Sequence, residues 1–372
     1  MVLGAVLAGF AAVEYSDASG DWQEAIRQET SRASAVQEEA RAVYVDEAPE
    51  AFRIASARVR ANELRAIAPS SRLAASELVI ANQIVFARSR VAPPDTLSAG
   101  NRYLLSSGEY DVARRISDAT KQIALMPDPD STFAAGDRHA ATARWISGVT
   151  VLLTGLAMAA ASVRRRPRPR PAGGDEPEII PQPGVADHRR RNTMVVLLVL
   201  WAAGVLLPFA QLALGGEEQR YQAIAAKTAA EIAGEIATSQ ARTGFDTDAQ
   251  KDAVVAQLVA VAREIAALEA TTPESEAERL TAGAEERAAV AIGRIAVQMG
   301  RPLTEQEGVD PLISKALTST AEDWGADAAV QSSAADRAET FGAWSNRAVA
   351  MIAALAAVSA ILEIAEVRPR RP

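Results

Sequence analysis

Two copies of one short pattern carry the side chains with the clearest capacity for binding. An Asp-Arg pair is followed, seven residues beyond the arginine, by a tryptophan: Asp137, Arg138 and Trp145, and again Asp336, Arg337 and Trp344. Seven residues of α-helix make about two turns, roughly 10.5 Å, so the arginine and the tryptophan share one face. Such a face could bind a ligand or a partner, or it could anchor the helix at a membrane interface.

No constellation typical of an enzyme accompanies this pattern. The chain has two histidines, His139 and His188, and no cysteine. Zinc motifs with paired histidines, thiolate metal sites and cysteine nucleophiles are therefore excluded, and no glycine-rich phosphate loop occurs. We predict no catalytic residue, no cofactor and no metal site, and we expect a protein that is not an enzyme.

The elements that must position the two pairs lead into strongly apolar segments. Residues 145–163 and 193–214 contain no charged side chain, and each is long enough to cross a bilayer as a helix. Residues 343–366 form a further predicted span, and residues 1–14 form a shorter apolar segment at the start of the chain. The sequence therefore predicts four transmembrane helices.

A basic, proline-rich linker joins the second predicted span to the third. Residues 164–192 hold five arginines at one end and three at the other, around proline, glycine and acidic residues that bury too little surface to fold. Arginines next to apolar spans favour the cytoplasmic side. We therefore predict a disordered cytoplasmic linker, cytoplasmic termini with a basic tail at residues 367–372, and extracytoplasmic domains at residues 15–144 and 215–342.

Both predicted extracytoplasmic domains are typical of helical bundles. Apolar residues recur at three, four or seven positions, and sustained alternation, which would indicate strands, is absent. In the first domain we predict breaks at Asp46–Pro49 and Pro69–Ser71 and a helix over Arg72–Val91. In the second domain the predicted breaks lie near Thr243-Gly244, Thr271–Pro273, Gly300–Pro302 and Trp324-Gly325. The predicted fold class is all-α.

The two halves of the chain align at a constant offset of 199 residues. This offset pairs Trp22 with Tyr221 (221 − 22 = 199) and places the second Asp-Arg…Trp pattern on the first. We interpret it as a tandem duplication of a span–bundle–span unit, which gives two parallel repeats. Met1 aligns with Leu200, seven residues after the third span begins (200 − 193 = 7). The first span is therefore predicted to be truncated, or to be short and membrane-thinning.

Charge restricts the predicted partners. Residues 215–346 hold 22 acidic and 11 basic side chains, a net charge of −11, within a chain whose net charge is −8. This excess of negative charge argues against nucleic acid as a partner. We predict the lipid bilayer and a protein bound through the extracytoplasmic bundles as partners, with homo-oligomers as a further alternative.

Two functional hypotheses follow. The leading one is a non-enzymatic interaction or sensing protein of a bacterial cell membrane; in architecture alone, the span–bundle–span unit resembles the sensor modules of bacterial chemoreceptors, and no motif assigns it to that family. The second is a channel or transporter component built on the parallel repeat. Its candidate cavity-facing residues are Thr150, Thr154, Gln211 and Ser359.

Overall fold

The computed structural model describes residues 2–91, 103, 110–164, 185–269, 274–300 and 321–367. Every regular element in these ranges is helical, so the all-α prediction is confirmed. In chain order the elements are α1 (Val2–Arg41), a π-helical turn (Ala42–Glu47), α2 (Ala48–Ile67), α3 (Arg72–Val91), α4 (Val112–Ile123), α5 (Pro129–Arg164), α6 (Val185–Glu269), α7 (Glu274–Met299) and α8 (Ala321–Val367).

Local sequence signals explain where several helices begin. Pro49 occupies the first turn of α2, where its missing N–H is not needed. Asp111 caps α4 by accepting a hydrogen bond from the backbone N–H of Arg114 at 3.0 Å. Asp128 accepts one in the same way from Ser131 at 3.1 Å, just before α5. The predicted helix over Arg72–Val91 is confirmed with the same bounds.

Two predicted breaks are wrong. The α6 helix continues through Thr243-Gly244, and α8 includes Trp324-Gly325. A glycine inside a helix costs only about 1 kcal/mol relative to alanine. Burial of Phe245 directly after the first break outweighs that cost, so packing overrides the local preference for a turn.

The chain forms two compact units. Unit 1 comprises Met1–Arg27, Asp128–Thr228 and Ala329–Pro372, and unit 2 comprises Gln28–Pro127 and Ala229–Ala328. Residues of both predicted extracytoplasmic domains, 15–144 and 215–342, contribute to each unit.

Unit 1 contains α5 together with parts of α1, α6 and α8. Trp22 of α1 packs against Phe133 of α5, with 6.3 Å between the ring centres. Tyr15 of α1 lies against Gly216 of α6, where a Cβ atom would come within 2.7 Å of the ring. Most of the other buried residues here are alanines, so the helices approach closely: Ala11, Ala18, Ala140, Ala143 and Ala223.

Two helices of the described chain are long and apolar enough to cross a membrane. They are Pro129–Ala157 and Ala321–Val358, which overlap the predicted spans 145–163 and 343–366. The side chains of residues 1–5 and 158–202 and the linker residues 165–184 lie outside the described residues. The predicted spans 1–14 and 193–214 and the multi-pass topology therefore stay predictions.

Unit 2 is built on two antiparallel hairpins, α2 with α3 and the distal part of α6 with α7. Its main core cluster takes residues from α1, the π-helical turn, α2, α4, α6 and α7. A smaller cluster joins Leu64 of α2 to Ala74 of α3 and Ala284 of α7. Three large apolar side chains of α2 are almost completely buried: Phe52, Ile54 and Leu64.

Candidate functional site

The structure connects one residue of each predicted Asp-Arg pair to α6. Asp137 on α5 accepts two hydrogen bonds from the guanidinium of Arg220, at 2.7 and 3.1 Å. Arg337 on α8 donates to the hydroxyl of Tyr221 at 3.4 Å, and its guanidinium carbon lies 5.5 Å from the centre of that ring. Two adjacent residues of α6 therefore contact both predicted pairs.

The other charged residue of each pair is not part of this contact. Arg138 is exposed, and its Nε donates to the carbonyl oxygen of Ala134, one turn earlier on the same helix, at 3.2 Å. Asp336 is exposed, and its backbone carbonyl accepts a hydrogen bond from the hydroxyl of Thr340. Each predicted pair therefore contributes one residue to the contacts with α6, and the two pairs do not act as repeated units.

Tyr221 lies at the centre of a cluster of aromatic and arginine side chains. Its ring stacks on Phe341 of α8, with 5.6 Å between the centres and 4° between the planes. The guanidinium of Arg220 lies 5.8 Å from the same ring, and such contacts are attractive because the ring face is electron-rich. Sequence reasoning missed Arg220 and Phe341; the alignment of Tyr221 with Trp22 was the one available signal.

The two predicted tryptophans are exposed on their helices. Trp145 is 71% exposed and Trp344 is 53% exposed, and the guanidinium of Arg347 lies 4.9 Å from the centre of the Trp344 ring. Both helices are among those long and apolar enough to span a membrane. An exposed indole on such a helix fits an interfacial anchor better than a ligand pocket.

Among the described residues of unit 1, three ion pairs join α5 to α6. They are Arg144 with Glu217, Asp137 with Arg220, and Asp130 with Lys227. The α5 members are spaced by seven residues and therefore lie on one face. The repeat offset equates Arg220 with Asp21 and Asp137 with Asp336 (220 − 199 = 21; 137 + 199 = 336), so the equivalent positions on α1 and α8 carry two like charges.

His139 faces the acidic residues of α1, and its hydrogen bond with Glu14 raises the pKa of its imidazole. Its Nδ1 lies 2.8 Å from a carboxylate oxygen of Glu14, and its Nε2 lies 3.9 Å from one of Asp21. Sequence spacing did not reveal these partners because Glu14 is 125 residues away. Among the described residues, no group of three histidine or acidic side chains is placed to hold a metal ion.

The candidate cavity-facing residues behave differently from one another. Thr150 is buried, and its hydroxyl donates to the carbonyl oxygen of Ile146 on its own helix at 2.8 Å. Thr154 and Gln211 are half-buried, and the side chain of Ser359 lies outside the described residues. Two other hydroxyls of unit 1, those of Tyr15 and Ser147, are buried without a hydrogen-bond partner in the described chain.

Unit 2 contains a ring of charges to which four helices contribute one residue each: Arg60 (α2), Glu77 (α3), Arg263 (α6) and Glu285 (α7). Arg60 donates to Glu285 at 2.7–2.9 Å and to Glu77 at 2.8 Å. Arg263 donates to Glu77 and lies 3.9 Å from Glu285. Each arginine therefore bridges both glutamates.

This charge ring is partly buried: Arg60, Glu77 and Arg263 are 17–24% exposed. The side chain of Glu285 is only 5% exposed. Its hydrogen bonds to Arg60 raise the pKa of the guanidinium, against the opposing effect of burial. Buried charges are tolerated when they are paired in this way, and a ring with one residue from every helix fixes which helices can pair and in which register.

A second polar cluster of unit 2 surrounds the π-helical turn. Glu47, the last residue of the turn, accepts hydrogen bonds from the hydroxyl of Tyr110 and from Nε of Arg115, the latter at 3.1 Å. Arg115 also pairs with Glu39 at 2.9 Å. Burial, followed by the contact with Glu47, raises the pKa of Tyr110, so its phenol remains a donor. Burial also raises the pKa of Tyr44, within the turn, to about 12.

Asp246, beside this cluster, gives unit 2 a predicted dependence on pH. Burial raises the pKa of its carboxyl, against the lowering effect of Arg242, and its Oδ1 has no hydrogen-bond partner in the described chain. The folded state therefore holds this proton more tightly than the unfolded chain, whose aspartates titrate near about 3.9. The resulting stability is present below the unfolded pKa and is lost as pH rises through the folded pKa.

We expect the difference in unfolding free energy between the wild type and Asp246→Asn to change across that pH window. The wild type should lose stability relative to the variant as the pH rises. Denaturant unfolding at a series of pH values measures the difference, and the subtraction removes the titration of all other groups. A constant difference between pH 4 and pH 8 would contradict the role given to Asp246.

No family model, curated protein or solved structure matches the chain. The charged clusters described above satisfy their members mostly within the chain, between neighbouring helices. In unit 2, most of the exposed large apolar side chains lie on α3 and on the distal part of α6.

Proposed function

We propose that this protein is a non-enzymatic cell-membrane protein whose unit 2 binds a protein partner. The supporting observation is that the distal part of α6 buries small side chains and exposes large apolar ones. This helix buries alanines at steps of seven residues, Ala253, Ala260 and Ala267. It exposes larger apolar side chains that are each 51–79% accessible: Val254, Val255, Leu258, Val261, Ile265 and Leu268.

Helix α3 shows the same pattern. It buries Ala74 and Ala81, again seven residues apart, and exposes Val79, Ile80 and Phe86, of which Phe86 is 65% accessible. A surface helix ordinarily turns its large apolar residues toward the core. Large apolar side chains that are contiguous and exposed mark surfaces that bind other proteins. We call the exposed apolar residues of α3 and α6 together the apolar face of unit 2.

We further propose the multi-pass, duplicated architecture as the frame for this face. Shifted by 199 residues, the end of α2 at Ile67 falls at 266, near the end of α6 at Glu269, and the start of α3 falls at 271, near the start of α7 at Glu274. In unit 1, Tyr15 contacts Gly216, and in unit 2, Ala33 contacts Gly234; both pairs are 201 residues apart. The separation of 201 residues is close to the repeat offset of 199, as expected for contacts between equivalent helices related by a two-fold axis.

Photo-crosslinking in intact cells tests the proposed function. A photoreactive amino acid at Leu258, on the apolar face, should form a protein adduct that mass spectrometry can identify. The same amino acid at Glu286, which is exposed on α7, is the matched control. Protein adducts at both positions alike, or at neither, would contradict a specific binding role for the face.

The channel hypothesis has less support. It depends on polar side chains that face a cavity between the spans, and the hydroxyl of Thr150 is instead bonded to its own helix. The apolar face of unit 2 has no part in that hypothesis.

A further inference from the structure

We infer that the partner of unit 2 is a second copy of this chain, with α3 of each copy packed against α6 of the other. The inference rests on the proposed function and narrows its partner to self-association. It requires that α3 and α6 be neighbours on one face and that their charges match across a two-fold axis.

Helices α3 and α6 are neighbours because Glu77 and Arg263 bond to each other. Helix α3 runs antiparallel to α2, since Arg60 pairs with Glu77 and Glu50 pairs with Arg88 at nearly constant sums of residue numbers (60 + 77 = 137; 50 + 88 = 138).

Helix α7 is antiparallel to both α2 and α6. Arg60 of α2 contacts Glu285, and Ser71, just beyond the end of α2, contacts Thr281, so residue numbers rise along the α2 direction as they fall along α7. Between α6 and α7, Arg242 reaches Gly300 and Arg263 reaches Glu278 (242 + 300 = 542; 263 + 278 = 541). The helices α2 and α6 are therefore parallel, and α3 is antiparallel to α6.

This direction sets the residues of the apolar face level with one another. Because Glu77 lies opposite Arg263, positions whose numbers sum to about 340 share a level (77 + 263 = 340). Phe86 is then level with Val254, and Val79 with Val261 (86 + 254 = 79 + 261 = 340). Large apolar residues on the two helices thus form shared layers.

The charges beside the apolar residues differ in sign between the two helices. Helix α3 carries the exposed bases Arg72 and Arg90, and distal α6 carries the exposed acids Asp252, Glu264 and Glu269 with one exposed base, Lys251. By the same sum, Arg72 falls within one residue of the level of Glu269 (72 + 269 = 341). Arg88 lies two residues from Phe86, which turns it away from the apolar face of α3, and it pairs with Glu50 of its own chain. A partner that matches this surface offers a basic helix to α6 and an acidic helix to α3.

A second copy supplies both helices if the two-fold axis runs along them. Rotation about that axis leaves each residue at the same height along the helices and puts α3 of one copy opposite α6 of the other. The basic residues of α3 then face the acidic residues of α6, and Phe86 faces Val254. An axis across the helices would instead put α6 against α6 and acids against acids. Closed two-fold pairing is the commonest arrangement of identical chains, and opposite charges across an interface select the partner.

The absence of cysteine makes disulfide trapping direct. We would co-express full-length Phe86→Cys and Val254→Cys chains that carry different tags, and oxidise the membranes mildly. A mixed disulfide between the two tags is expected, and Val254→Cys alone should give no dimer. Val297→Cys, exposed on α7, is the matched control and should not trap Phe86→Cys.

Variants of the face separate self-association from misfolding. Leu258→Glu should lower the yield of mixed disulfide at least about tenfold, because it places a charge in an apolar layer. Arg72→Glu should also lower the yield, and adding Glu269→Arg in the same chain should restore it. A simple folding defect would not be rescued by the second exchange.

Two results would overturn the inference. Disulfides of Val254→Cys with itself would mean that α6 pairs with α6, and the absence of any disulfide would mean that this face binds no second copy. If Leu258 then crosslinks to another protein in cells, the inference fails while the proposed function stands. If Leu258 crosslinks to no protein, both fail.

Discussion

Replacement of Glu285 by alanine is expected to lower the free energy of unfolding of unit 2 by about 3–5 kcal/mol. Glu285 binds Arg60 directly and lies within 3.9 Å of Arg263. Its removal leaves Arg60 and Arg263 sharing Glu77 in the bundle, with Glu278, 3.9 Å from Arg263, as a more distant acid. Denaturant unfolding followed by circular dichroism measures the loss.

Two comparisons decide whether the burial of this ring causes the effect. Glu63→Ala breaks a more exposed ion pair with Arg287 between the same two helices and should cost less than about 1 kcal/mol. The double variant Arg60→Met with Glu285→Leu removes both charges and should be more stable than Glu285→Ala alone. Equal losses for Glu285→Ala and Glu63→Ala would show that solvent screens the ring.

Replacement of Trp22 by alanine is expected to cost unit 1 about 3–5 kcal/mol. The side chain is 2% exposed and packs against Phe133, in a core whose other buried residues are mostly alanines. Small neighbours cannot move far enough to fill the space left by an indole, so a cavity remains. Thermal unfolding of the detergent-solubilised full chain measures the change.

Substitutions around Trp22 test the packing more finely. Trp22→Phe keeps most of the apolar volume and removes an indole N–H that is buried without a hydrogen-bond partner in the described chain, so it should cost only a fraction of the alanine loss. Gly136→Ala would put a Cβ atom 2.7 Å from the ring and should destabilise the unit. Gly148→Ala on the same helix meets nothing within 4 Å and should gain up to about 1 kcal/mol. Equal effects of the two glycine changes would contradict the close contact.

Local signals predicted most helix bounds well. The bounds of α3 follow from the turn residues before Arg72 and the prolines beyond Val91, and Pro49 marks the start of α2. These signals act within a few residues, so one sequence is enough to read them. Gly244 and Gly325 misled the prediction because packing of a whole helix overrides one weak helix former.

The contacts between distant helices could not be predicted in the same way. Arg60 and Glu285 are 225 residues apart, and nothing in their surroundings marks them as partners. Among the predicted site residues, Asp137 and Arg337 make contacts between helices, but their partners on α6 depend on which helices pack together. Periodicity shows which face of a helix is apolar, but it does not identify the helix that packs against that face.

The charge ring also constrains how this chain can change over generations. Each arginine contacts both glutamates of the ring, so loss of any one of the four charges removes two contacts at once. Drift at one of the four positions is therefore blocked until a second change compensates for it. Descendants of this sequence should keep the four charged residues as a set or exchange them together for apolar residues. Correlated substitution at these four positions would identify the bundle even where little else of the sequence is retained.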